Sequence, residues 1–167
     1  RRLAESAGDS VPVYASGINI RDGHEQIAAA RKAGFTAFKV KVGFDHDADA
    51  AKVLALERHL TPGEALFADA NQAWDLDQAI RFLNRLVGSP IGWLEEPMAV
   101  DAPVSDWLQL AAMSPIPLAG GENLAGLKEF SDAIASAALA IIQPDVAKWG
   151  GITGCRQVAL RAVAAGR

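Results

Sequence analysis

Residues 92–98 read GWLEEPM. An apolar run, Ile91, Trp93 and Leu94, leads directly into two carboxylates, Glu95 and Glu96, and Pro97 closes the stretch. A run this apolar belongs in a core, where an ionised carboxylate is expensive unless something compensates it. The fold follows from asking what stands at the end of every comparable run.

Working outward, β-branched and apolar runs alternate with helix-period segments. The predicted strands are VPVYASGI (11–18), TAFKVKVG (36–43), EALFADAN (64–71), IGWLEE (91–96), IPLAGGEN (116–123) and LAIIQPDV (139–146). The predicted helices cover 23–33, with Asp22 as cap and Gly34 as stop, then 47–60, 75–87, 104–113, 127–137, and from about 152 onward. Six strand–helix units with near-continuous apolar strands imply a parallel sheet covered by helices. Two α/β architectures fit, a doubly wound open sheet and a (β/α)₈ barrel. No GxGxxG or GxxxxGK[ST] opens a helix, which weakens the nucleotide-binding open sheet.

The ends of these strands carry the charges. Lys39 and Lys41 lie on the second, Asp69 ends the third, Glu95 and Glu96 the fourth, Glu122 the fifth and Asp145 the sixth. From Lys41 the positions 69, 95, 122 and 145 follow at steps of 28, 26, 27 and 23 residues, each close to one strand–helix unit. The charges therefore recur at one height, the C-terminal strand ends, where barrel active sites are built. Converging carboxylates stay ionised together only with a cation among them. An all-oxygen set without His or Cys suits a hard ion, and Mg²⁺ is the expected one. Lys39 and Lys41 are two apart and share one side of their strand. Beside a metal ion, at least one of them is expected to have a depressed pKa and serve as a base. Asn71, two after Asp69, faces the same site or caps a local turn. Ser16, read as ending the first strand, is a candidate to hydrogen-bond a substrate carboxylate. Glu96 is expected to turn away into a structural role. His24, His46 and His59 fall at a helix start, in a loop and on a helix, away from every strand end.

Composition narrows the partners. The 167 residues are 50% hydrophobic, enough for one domain with a sizeable core, and the net charge of −4 comes without a basic tract. No nucleic acid and no membrane are expected as partners: apolar stretches are too short to span a bilayer, and the first ten residues lack the apolar region of a signal peptide. A single cysteine, Cys155, permits no internal disulfide and fits a reducing, cytoplasmic setting.

Five motifs, KVKVG, DANQ, WLEEP, GGEN and QPDVAKWGG, in this order and spacing, resemble the enolase superfamily, in the mandelate racemase/muconate lactonizing enzyme family and its mandelate racemase subgroup. The resemblance covers nearly the whole chain. It implies a (β/α)₇β TIM-like barrel, of which about six units are present, and makes residues 1–167 a partial barrel, the catalytic C-terminal domain of a larger enzyme. It implies Mg²⁺ bound by Asp69, Glu95 and Glu122, with Lys41 as general base and Lys39 as its electrostatic partner. Asp145 matches the aspartate of a His–Asp dyad, while Asn71 and Ser16 match positions near substrate. The implied chemistry is removal of the α-proton of a small-molecule carboxylate, with the enediolate stabilised by Mg²⁺. Dehydration of an acid sugar is the leading expectation, by a lyase; a racemase or epimerase and a catalytically inactive barrel fragment are the alternatives. Family members are usually homo-oligomers. The family's dyad histidine, last strands and N-terminal capping domain have no counterpart in the sequence, so a longer protein is expected, and an intact mass near 17.6 kDa would contradict that.

Overall fold

The computed structural model describes residues 10–167. Six strands, β1 (Ala15–Asn19), β2 (Ala37–Lys41), β3 (Ala65–Asp69), β4 (Leu94–Glu95), β5 (Leu118–Gly120) and β6 (Ile141–Ile142), alternate with six helices. These are α1 (Gly23–Lys32), α2 (His46–Glu57), α3 (Leu76–Arg85), α4 (Val104–Met113), α5 (Gly126–Ser136) and α6 (Gly151–Ala164). The strands pair in sequence order, β1-β2-β3-β4-β5-β6, and every pair is parallel. That order decides between the two architectures. Parallel crossovers share one hand, so five consecutive same-direction steps put the helices on one face of the sheet, as in a barrel wall. A doubly wound sheet would need the order to reverse.

The period-2 pattern then sorts the side chains. Phe38, Val40, Leu66, Ala68 and Leu94 are buried on the helix side with Val53, Leu56, Phe82, Leu83 and Leu110. Lys39, Lys41, Phe67, Asp69, Trp93 and Glu95 take the other face.

The strands are shorter than the apolar runs that announce them. Val11 and Val13 were expected in β1, yet are 76% and 63% exposed. The first β1–β2 pair is Ala15 with Phe38, and β2 itself begins at Ala37, so Val11 and Val13 lie beyond the start of the partner strand. The register shifts between Ala15 and Ile18, around Gly17, which has φ 75°. Ser16 is therefore the second residue of β1 rather than its end. Asp22 precedes α1 without a side-chain cap; Asn19 instead accepts from the Arg21 N–H and caps a short 3₁₀ turn. Asp45 caps α2, and Asp75 caps α3 in a reciprocal box with Gln78.

One clamp fixes the bottom of the first units. Arg31 of α1 grips Glu64 at the start of β3, Nε–Oε1 2.5 Å and Nη2–Oε2 2.8 Å, while Glu64 also accepts from the Thr61 N–H. The Arg31 hydrogen bond outweighs burial and holds the Glu64 carboxyl down at about 2. Because the folded value lies below the ordinary 4.5, the clamp's contribution is complete above that pH and is lost as pH falls towards 2. Glu64→Gln is expected to cost about 1–3 kcal/mol at pH 7 and almost nothing near pH 2, read from urea midpoints.

Candidate functional site

The helix-free face carries the charges at the strand ends, and the sheet register aligns them. Lys41 pairs with Asp69, and Asp69 pairs with Glu95, so three functional side chains stand at one level on adjacent strands. Beneath them lies an aromatic floor. Phe67 and Trp93, one pleat below Asp69 and Glu95, stack at 3.5 Å and 12°, and Tyr14 meets both edge-on. Lys39 Nζ sits 5.5 Å over the Tyr14 ring.

Each candidate metal ligand is met by a lysine. Lys39 Nζ donates to Glu95 Oε1 at 2.5 Å and lies 3.2 Å from Asp69 Oδ2. Lys41 Nζ donates to Asp69 Oδ2 and to Asn71 Oδ1, both at 2.5 Å. Lys148 Nζ lies 3.3 Å from Glu122 Oε1 and 3.0 Å from Asn123 Oδ1. Asp69 and Glu95 are 1% and 2% exposed, Lys39 is 7%, whereas the Lys41 side chain is 32% exposed. Burial pushes Asp69 up, but the Lys41 hydrogen bond and the charges of Lys39 and Lys41 outweigh it and hold the carboxyl below its usual value. Burial likewise works against the Lys39 ammonium, yet the Glu95 hydrogen bond and the charges of Asp69 and Glu95 raise its pKa. That direction belongs to Lys39 with the carboxylates alone as partners, whereas the depression expected from sequence is for a lysine beside a metal ion. The nearest charged neighbours of Lys39 are two buried carboxylates.

Glu96 turns out of the strand at φ 39°. Its carboxylate accepts from Asn123 Nδ2 at 2.9 Å on both oxygens and from Gln72 Nε2 at 3.3 Å. Burial is the largest cause that raises its pKa, and Glu122 and Asp69 add to it. Glu96 thus ties the loop after β5, which carries Glu122, to the loop after β3. Asn71 and Gln72 also have positive φ, 46° and 64°, so three non-glycine residues in this sparsely populated region cluster at the site.

The remaining candidates lie at the margin. Glu122 stands two residues beyond β5, where Gly121 at φ 126° breaks the strand, and its side chain is 33% exposed. Asp145 is half-buried and uses Oδ1 to accept the N–H of Ala147 and Lys148. Ser16 is exposed in β1. His24 and His59 meet edge-to-face on the surface, and His46 opens α2; none reaches the strand ends. Two positioning residues were not singled out from sequence. Asp49, 1% exposed, accepts the N–H of Gly43, Phe44 and Asp45 and so shapes the turn after Lys41. Gln143, just past β6, donates to Glu95 Oε2 at 2.8 Å.

Among the described residues, no three His, Cys, Asp or Glu side chains already close on one point as metal ligands. The donor set still fits a hard divalent cation. Asp69, Glu95 and Glu122 are carboxylates on successive strands, and their present counter-charges are lysine ammonium groups. A bound cation would replace that compensation. A cavity of about 740 Å³ lies elsewhere, between α4 and α5, and borders this site at Glu96, Gly120, Gly121 and Asn123.

Residues 23–167 match the family model described as Enolase C-terminal domain-like, and the chain belongs to that family. It is 38% identical over 159 residues to the 3,6-anhydro-α-L-galactonate cycloisomerase of Streptomyces coelicolor, covering 92% of this chain and 44% of that protein. Other relatives are named as a dehydratase and an epimerase. Among solved structures, a mandelate racemase/muconate lactonizing enzyme from Bordetella bronchiseptica superposes with a TM-score of 0.92 at 46% identity, covering 96% of this chain and 44% of that one. The L-talarate dehydratase of Polaromonas sp., complexed with Mg and L-glucarate, gives 0.86 at 32% identity, covering 96% and 46%. The chain thus spans less than half the length of these relatives. No helix among the described residues is long and apolar enough to cross a membrane.

Proposed function

We propose that the protein containing this chain removes the α-proton of a carboxylate substrate in a Mg²⁺-dependent reaction, and that the substrate is an acid sugar that loses water. The observation that carries this reading is the register Lys41–Asp69–Glu95, which places an accessible amine beside two buried carboxylates. Asp69, Glu95 and Glu122 would hold the cation. When bound, the cation supplies the positive charge against which the enediolate develops.

The chain's own groups do the rest. Lys41 is the accessible lysine and, as the free amine, takes the α-proton on Nζ; Asn71 Oδ1 and Asp69 Oδ2 hold that nitrogen at the strand end. Lys39 donates to Glu95 Oε1 at 2.5 Å and lies 3.2 Å from Asp69 Oδ2, so its role is to hold positive charge against these two carboxylates. The Phe67–Trp93 stack lies one pleat beneath these groups and gives the site an apolar floor. Acid sugars are favoured as substrates by the names of the cycloisomerase and of the L-talarate dehydratase. The 38% identical cycloisomerase also favours a second reading, an isomerisation begun by the same proton removal.

Screening the intact protein against acid sugars with a keto-acid assay tests both. A 2-keto-3-deoxy acid product indicates dehydration, and a product of unchanged mass indicates isomerisation. Turnover is expected to vanish in EDTA and return with Mg²⁺. Full activity in EDTA would refute the metal assignment.

A further inference from the structure

Gln143 is the one described residue with a buried side-chain polar atom lacking any hydrogen-bond partner, its Oε1. Its other end is firmly engaged. Nε2 donates to Glu95 Oε2 at 2.8 Å, and its backbone N–H is held by Gly120 O at 2.9 Å. The amide's orientation follows from chemistry. An ionised carboxylate only accepts, so the nitrogen must face Glu95 and the oxygen must face away from it. A flipped amide would set oxygen against oxygen.

The reach is unusual, because Gln143 follows β6 whereas Glu95 ends β4. The strand between them makes this possible. β5 offers only the Ala119 methyl opposite Glu95, followed by Gly120 and Gly121. A larger side chain at Ala119 would stand in the path. With Lys39 on Oε1, and Gln143 and the Trp93 indole on Oε2, Glu95 is fixed in rotation about its last bond. A carboxylate held this way is pre-oriented, as ligands are when neighbouring groups hydrogen-bond them.

The orphaned oxygen is the second observation. Native proteins rarely leave a buried acceptor unpaired, and such an exception calls for a donor. Mg²⁺ keeps several of its waters when bound, and each is an O–H donor. We propose that Gln143 is the positioning residue for Glu95 in cation binding, and that its Oε1 receives a hydrogen bond from a water of the hydrated cation. The proposal rests on the Mg²⁺ reading above and extends it to a residue on β6's far side of the site.

The test is a Mn²⁺ titration of the intact protein without substrate, with free Mn²⁺ followed by electron paramagnetic resonance. Gln143→Met keeps length and removes both polar groups. Gln143→Asn keeps the chemistry but is one methylene too short for Glu95. Both variants are expected to bind Mn²⁺ about 10–100-fold more weakly than wild type, with native circular dichroism. Wild-type affinity in Gln143→Met, within two-fold, overturns the proposal and leaves the Mg²⁺ reading standing. A lowered metal-free melting temperature with unchanged affinity also overturns it, because it makes Gln143 a packing residue. If the wild-type protein itself binds no Mn²⁺, both the reading and the proposal fail.

Discussion

Lys41→Ala in the intact protein is expected to lower kcat by about 10²–10⁴-fold, the range a positioned acid–base group contributes. Divalent-cation affinity should change far less. The physical case is a contrast between two lysines on one face of β2. Lys39 is buried, clamped by Glu95 and Asp69, and its pKa is raised, so giving up its proton is costly. Lys41 is one-third exposed, at the mouth, and its two partners, Asp69 and Asn71, lie on the next strand's end. Removing it takes away the proton acceptor but leaves Asp69 with Lys39 at 3.2 Å. Exchange of solvent deuterium into the α-carbon of recovered substrate should fall with kcat. Wild-type rates in Lys41→Ala would sink the base assignment. A fall in affinity as large as the fall in rate would make Lys41 a support for Asp69 instead.

Much of this arrangement was legible in the sequence, for a physical reason. A residue that ends a parallel strand must recur once per strand–helix unit, and charged residues stand out against apolar runs. The recurrence at 41, 69 and 95 became the observed register of adjacent strands. What stayed hidden depends on contacts rather than periodicity. Strand lengths are set by the partner strand, so the run before Ala15 lost its pairing. Glu122 escapes its strand because Gly121 takes φ 126°, which spacing does not reveal. Asp49 reads as an ordinary helix acid, yet its three bonds go back to the turn before the helix. Gln143 falls within the run read as the sixth strand, 139–146, whereas β6 ends at Ile142, and only the small residues of β5 let its side chain cross to Glu95. Motif resemblance pointed to ligands; the groups that hold the ligands came from packing.

Lys39→Met is expected to show the largest stability effect, and it separates two sources of positive charge. Lys39 is the ammonium shared by Asp69 and Glu95, which stand on paired positions of β3 and β4 and are almost fully buried. Methionine keeps the shape and deletes the charge. Glu95 would retain only Gln143 and the Trp93 indole, both neutral, while Asp69 would keep Lys41. Breaking a buried pair on one side typically costs about 3–5 kcal/mol, because the remaining charge is left uncompensated. The variant is therefore expected to unfold at markedly lower temperature in EDTA than wild type. Added Mg²⁺ should then do more for the variant than for wild type. In wild type a divalent cation must approach carboxylates already neutralised by ammonium groups, and Lys39 repels it. Without Lys39 the same carboxylates lack a counter-charge, and affinity should rise about ten-fold or more, each ten-fold being about 1.4 kcal/mol. Binding stabilises the folded state by mass action, so saturating Mg²⁺ should recover a large part of the lost melting temperature. Turnover should still fall, since Lys39 also holds the Glu95 carboxylate in place through its 2.5 Å hydrogen bond. Thermal melts with and without Mg²⁺, together with calorimetric titration, read all three quantities. If Lys39→Met is as stable as wild type in EDTA, Lys39 is not what compensates Glu95. If Mg²⁺ binds the two proteins equally, the lysine and the cation do not compete for these carboxylates, and the metal site lies elsewhere.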